Sequence, residues 1–165
     1  MDVRRKIELM AVFAVLVTAC IVPLVMAANQ ETITCTVTAG VYSVNLSRSS
    51  VNYGNMAEGE NQTDPLGTIN VTNDAGIPED ILIRSDNATS VSGEWVLAGT
   101  PGVDQYRHTF NLDGEQNLAI DNQLLADDIP NDDKQAFTLK IYVPTTISNP
   151  GTYTTDITVV ATAPT

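Results

Sequence analysis

At 165 residues, with 20 acidic against 8 basic side chains and a formal charge of −12, the chain is small and strongly anionic. Such a surface repels a phosphate backbone, and the basic residues beyond the N-terminus (Arg48, Arg84, Arg107, Lys134 and Lys140) are scattered rather than clustered, which excludes nucleic acid as a partner. One histidine and two cysteines leave little from which to build a zinc site or a catalytic triad.

The chain opens on a basic head, Met1-Asp2-Val3-Arg4-Arg5-Lys6, and from Leu9 to Ala28 no charge interrupts an apolar stretch. That is the pattern of an export signal helix. Cleavage after Ala27, in Val25-Met26-Ala27, defines residues 1–27 as a signal peptide and 28–165 as one domain that works outside the cell or on its surface. Two other fates stay open. A retained segment of about 20 apolar residues is long enough to cross a bilayer, although Pro23 stands near its outer end. Val17-Thr18-Ala19-Cys20 resembles the bacterial lipobox, which implies a lipid on Cys20, but Ile21 to Val25 continue the apolar run. The membrane is thus a partner only through a signal that is uncleaved or lipidated. Removing residues 1–27, with three basic and two acidic side chains, moves the formal charge from −12 to about −13. It also leaves Cys35 as the sole thiol, so no disulfide can form within the mature chain.

From Glu31 onward Thr, Val, Ile and Asn alternate in short runs separated by Gly, Asn, Asp and Pro, the pattern of many short strands. Strands are expected at Thr32 to Thr38, Tyr42 to Leu46, Val51 to Tyr53, Gly67 to Thr72, Glu79 to Arg84, Glu94 to Leu97, Tyr106 to Asn111, Ala136 to Val143 and Thr152 to Thr162. Only Asn117 to Asp127 leaves room for a short helical turn. The period of two puts Phe137, Leu139, Ile141 and Val143 on one buried face, and Tyr153, Thr155, Ile157, Val159 and Ala161 on another. Turns are expected at Asn73 to Pro78, Leu112 to Glu115 and Asn149-Pro150-Gly151. These elements predict an all-β fold, a single antiparallel immunoglobulin-like β-sandwich of about 8–9 strands.

Ser50-Val51-Asn52-Tyr53-Gly54-Asn55-Met56-Ala57-Glu58-Gly59, followed by Ile69-Asn70-Val71-Thr72-Asn73-Asp74-Ala75-Gly76-Ile77-Pro78-Glu79-Asp80-Ile81, resembles a pattern of bacterial and archaeal extracellular surface proteins. The resemblance implies an immunoglobulin-like sandwich serving adhesion, wall attachment or filament building. Trp95-Val96-Leu97 is similar to one motif of WxL-type wall-binding domains, and Pro150 to Thr158 resembles the approach to the second. The second tryptophan is missing. Trp95 also reads simply as a large core residue.

The chemistry-bearing residues are sparse. His108 lies in an alternating strand, and no Gly-x-Ser-x-Gly elbow exists to partner it, so no catalytic residue and no enzyme activity is expected. Few aromatic residues are present to platform a sugar. Calcium is the one cofactor with a candidate site: Asp127, Asp128, Asn131, Asp132 and Asp133 gather hard oxygen donors in one loop without the spacing of an EF-hand. A solvated acidic turn explains the same residues. Sequons at Asn45, Asn61, Asn70 and Asn87 permit glycans where the host has the machinery. The expected function is a non-catalytic structural or adhesive surface subunit whose first strand, Thr32 to Thr38, adds to the sheet of a neighbour. Its partners would be itself, other envelope proteins or wall polymers. The alternative is a module that binds wall polysaccharide or calcium through its end loops.

Overall fold

The computed structural model describes residues 41–165. The chain divides into two compact units, residues 1–38 and 39–165, and the described residues belong to the second. The signal over 1–27, Cys20, Cys35 and the expected strand Thr32 to Thr38 lie outside the described residues.

Every regular element described is a strand. In chain order they are β1 (Val44–Leu46), β2 (Asn61–Thr63), β3 (Ile69–Asn73), β4 (Glu79–Ser85), β5 (Ala88–Thr89), β6 (Glu94–Leu97), β7 (Gln105–Asn111), β8 (Glu115–Asn117), β9 (Gln123–Ile129), β10 (Lys134–Tyr142) and β11 (Ile157–Thr162). Eight of them form a larger sheet in the order β1-β3-β10-β7-β6-β5, with β2 on β10 and β8 on β7. The remaining three form a smaller sheet, β11-β4-β9.

The architecture is all-β with two sheets, but it is not wholly antiparallel. β6 and β7 run parallel, with Val96 opposite Gln105 and Leu97 opposite Tyr106. The reason lies in the short link between them: Pro101, Gly102 and a left-handed Asp104 (φ 49°) turn the chain back far enough for β7 to start beside β6 in the same direction. A second correction concerns Asn117 to Asp127. No helical turn forms there, because Gln123 onward is β9, paired to β4 across two register shifts. Those irregularities place the neighbours Leu125 and Ala126 both in the core, which breaks the period of two that would have marked a strand. Val51 to Tyr53, expected as a strand, has no sheet partner among the described residues; Asn52 instead accepts a 2.8 Å hydrogen bond from the Gly54 amide and turns the chain.

The alternation expected along β10 is seen at Phe137 and Leu139 but fades at the half-buried Ile141, and β11 is half-buried throughout except at Val160. Phe137, Leu139 and Val143 are buried, and Ile157, Val159 and Ala161 pair with Ser85, Ile83 and Ile81 of β4, sharing their inward face. The main core therefore joins both sheets: Ile69 and Val71 of β3, Phe110 of β7, and Phe137 and Leu139 of β10 meet Ile81 and Ile83 of β4 and Leu125 of β9. Each such side chain contributes about 1.5–3 kcal/mol by leaving water. A second cluster gathers Ala88, Trp95, Tyr106 and Val143.

Asn73 ties the turns at one end of the sheets. Its fully buried amide donates to the Ile77 and Ile129 carbonyls at 2.8 and 2.7 Å, and its oxygen accepts from the Ala75 amide at 2.8 Å. One side chain thereby satisfies backbone groups of two separate loops.

Candidate functional site

β1 pairs only with β3 and β11 only with β4, so among the described residues each ends its sheet. Both edges border one slit of about 420 Å³. Leu46, Ile69, Phe137, Leu139 and Ile141 form its wall on the larger sheet, and Thr155, Ile157 and Val159 form the wall beside β11. Tyr153, Thr154 and Asp156 also line it. These apolar residues face inward because of the strand alternation that buries Phe137 and Leu139.

Toward the Tyr153 end the lining changes character. Trp95, 8% exposed, stacks on Tyr153 with ring centroids 3.9 Å apart and planes 16° from parallel. The Tyr53 hydroxyl lies 2.9 Å from Nε2 of His108, a residue with 2% exposure. Burial lowers the His108 pKa to about 4, so the ring is neutral near pH 7. Burial, reinforced by the Asp64 charge, raises the Tyr53 phenol well above its ordinary value and keeps it protonated. The phenol therefore donates to Nε2, and the ring proton sits on Nδ1.

Arg48 closes this region with a charge that is already spent. Its guanidinium pairs with the fully buried side chain of Asp64, one contact being 3.0 Å, and also donates to the Gly67 carbonyl at 2.6 Å. Three buried nitrogens in the lining remain without a hydrogen-bond partner among the described residues: Arg48 Nε, Trp95 Nε1 and His108 Nδ1. Each can donate, and none adds net charge to the slit, so this end suits an uncharged oxygen acceptor.

The residues singled out in sequence fall elsewhere or fit differently. His108 hydrogen-bonds a tyrosine rather than a serine or a carboxylate. Asp127 and Asp128 lie on β9, and Asn131, Asp132 and Asp133 lie in the turn that follows. Asp128 and Asp132 adopt left-handed backbone (φ 47° and 67°), a conformation that short polar side chains tolerate, so backbone geometry accounts for acids at these two positions. Three of the five side chains, Asp127, Asn131 and Asp132, are also engaged. The Asp80 carboxylate accepts from the Asp128 and Thr165 amides and holds a pKa below its ordinary value, while the Asp127 carboxyl, hydrogen-bonded to Asp80, is raised. Asn131 accepts from the Gly76 amide and donates to Asp132. No group of three or more His, Cys, Asp or Glu side chains among the described residues is arranged to hold a metal ion.

Of the sequons, Asn45 and Asn61 are exposed, whereas Asn70 is half-buried. Asn87 is committed to Glu94 and to the Leu97 amide, at 2.6 and 3.0 Å. Sequence reasoning named Phe137, Leu139, Ile141, Tyr153, Thr155, Ile157 and Val159 as buried-face positions, Trp95 as a WxL-like or core residue and His108 only as a histidine without catalytic partners, and did not bring them together as one slit. No local signal marks it, because it is made by residues far apart in the chain. No protein-family model matches the chain, and no curated protein is detectably similar to it.

Proposed function

We propose that this is a non-catalytic, exported structural subunit of immunoglobulin-like sandwich type that assembles by strand addition at a cell surface. One observation carries the reading: the slit between two strand edges that are unpaired among the described residues, walled by inward-facing apolar side chains from both sheets. An unpaired edge is a template for another strand, and isolated folded domains protect such edges with charge, proline or a covering element. A strand supplied by a neighbour satisfies edge and slit together, and because donor and acceptor surfaces differ, the contact repeats head to tail.

Negative-stain microscopy with light scattering over a concentration series tests this. Ordered fibres are expected from the parent chain and monomers from a variant lacking residues 29–38. A parent that stays monomeric at every concentration overturns the reading. A second reading, a module for hydroxyl-bearing wall polymers, is favoured by the unpartnered donors Arg48 Nε, Trp95 Nε1 and His108 Nδ1. It predicts a monomer whose melting temperature rises with soluble wall polysaccharide, as any ligand selective for the native form requires.

A further inference from the structure

The unpaired donors of the slit call for a ligand of narrower chemistry than either reading above requires. We infer that the slit binds a small, uncharged aliphatic molecule whose polar group only accepts hydrogen bonds, an ester or a ketone. Its oxygen meets Trp95 and His108 and its chain lies against the apolar walls. The inference goes beyond assembly and does not depend on it.

Three observations carry it. The Trp95 and His108 side chains are both more than nine-tenths buried and both line the slit, and Trp95 Nε1 and His108 Nδ1 have no hydrogen-bond partner among the described residues. Both rings pack against Tyr106, with centroids 6.5 and 6.2 Å from its own, which holds the two donors in one region. The hydroxyls around them are already used. Tyr53 donates to His108 Nε2, Tyr153 to the Asn149 carbonyl at 2.7 Å, and Thr155 to the Asp86 carbonyl at 2.8 Å. This end therefore offers protons and has no buried acceptor to spare, so an alcohol would bury its own O–H unpaired whereas a carbonyl brings only lone pairs. Charge narrows the class further. Arg48 is neutralised by Asp64, and Asp156 lines the slit of a chain with a formal charge of −12, so nothing compensates a carboxylate buried there. An ammonium group would meet donors with donors. The volume of about 420 Å³ and the apolar walls suit a small molecule.

Trp95 and His108 are the only tryptophan and the only histidine of the chain, so one indole and one imidazole signal report on the two donors. The full chain, recovered after export and held dilute, is titrated with methyl octanoate, octanoate, octylammonium and octane. Calorimetry, Trp95 fluorescence and the indole N–H and imidazole nitrogen resonances follow the binding. Saturable binding of methyl octanoate is expected, with the indole N–H moved downfield, and about tenfold weaker binding of each of the other three. Trp95→Phe and His108→Phe each keep an aromatic ring and remove one donor, and each should shrink the preference for the ester over octane. No binding of any probe overturns the inference. Equal binding of ester and octane overturns the role of the donors, and tighter binding of octanoate overturns the neutral head. An indole N–H already hydrogen-bonded in the free protein and unmoved by the ester shows that water holds it, which also overturns the inference. Where a variant fails to fold, the resonances of the parent still decide. Fibres are scored separately: ester binding by a chain that never forms them refutes assembly and upholds this site, and fibres from a chain that binds no ester do the reverse.

Discussion

Acid should weaken this domain in part through one buried ring. His108 is buried with only Tyr53 for a partner, and its pKa falls from 6.5 to about 4. The unfolded chain takes up a proton near pH 6.5, whereas the native state resists until about pH 4. Stability contributed by the neutral ring is therefore full above pH 6.5 and is lost as the pH falls toward 4. The difference of about 2.5 pK units corresponds to about 3 kcal/mol, spread over that window at up to about 1.4 kcal/mol per pH unit. Urea denaturation of dilute parent and of His108→Gln, at intervals between pH 7.5 and 4, measures it. Glu79, whose pKa is raised by burial, and Asp80, Asp104 and Glu115, whose pKa values are lowered by hydrogen bonds, titrate in both proteins and drop out of the difference. The parent should lose about 3 kcal/mol more than the variant across the range. Parallel stability curves would show that His108 protonates without penalty and would refute its desolvation.

Trp95→Ala should cost about 3–5 kcal/mol by emptying the second core cluster and removing the stack on Tyr153, read as a lower urea midpoint at unchanged m-value. A cost under about 1 kcal/mol would mean that Trp95 is held for a ligand rather than for packing. Asn73→Ala strands the carbonyls of Ile77 and Ile129 and should destabilise by about 3 kcal/mol in the same assay, at about 1–3 kcal/mol for each buried group left unpaired. Thermal melting in millimolar calcium and then in chelator should coincide, because Asp127 is engaged with Asp80 and Asn131 with Gly76 and Asp132. A rise of several degrees with calcium would restore the acidic loop as a binding site.

Composition alone is enough to read the all-β class, and the faces of β10 and β11 follow from a strict period of two, since Phe137, Leu139 and Val143 carry a signal that needs no partner to be recognised. The strands that escaped notice are of another kind. Asn61–Thr63 and Glu115–Asn117 are polar throughout and are strands only because β10 and β7 lie beside them. β9 is hidden by its bulged pairing with β4. Trp95 was legible as core, but its stack on Tyr153 joins residues distant in sequence. The slit was the least legible feature of all, because Leu46, Phe137 and Val159 look like ordinary strand residues until the sheets are assembled and a gap is left among them.

In assembly by strand addition the slit and the strand that fills it are different surfaces, which has a consequence for growth. A fibre built this way is polar: one terminus always shows an empty slit and the other an unspent segment, so the two ends elongate by different steps. A short peptide copying the incoming strand would then act as a chain terminator at the slit-bearing end alone, and fibre length would fall with its concentration while the folded subunits remained intact.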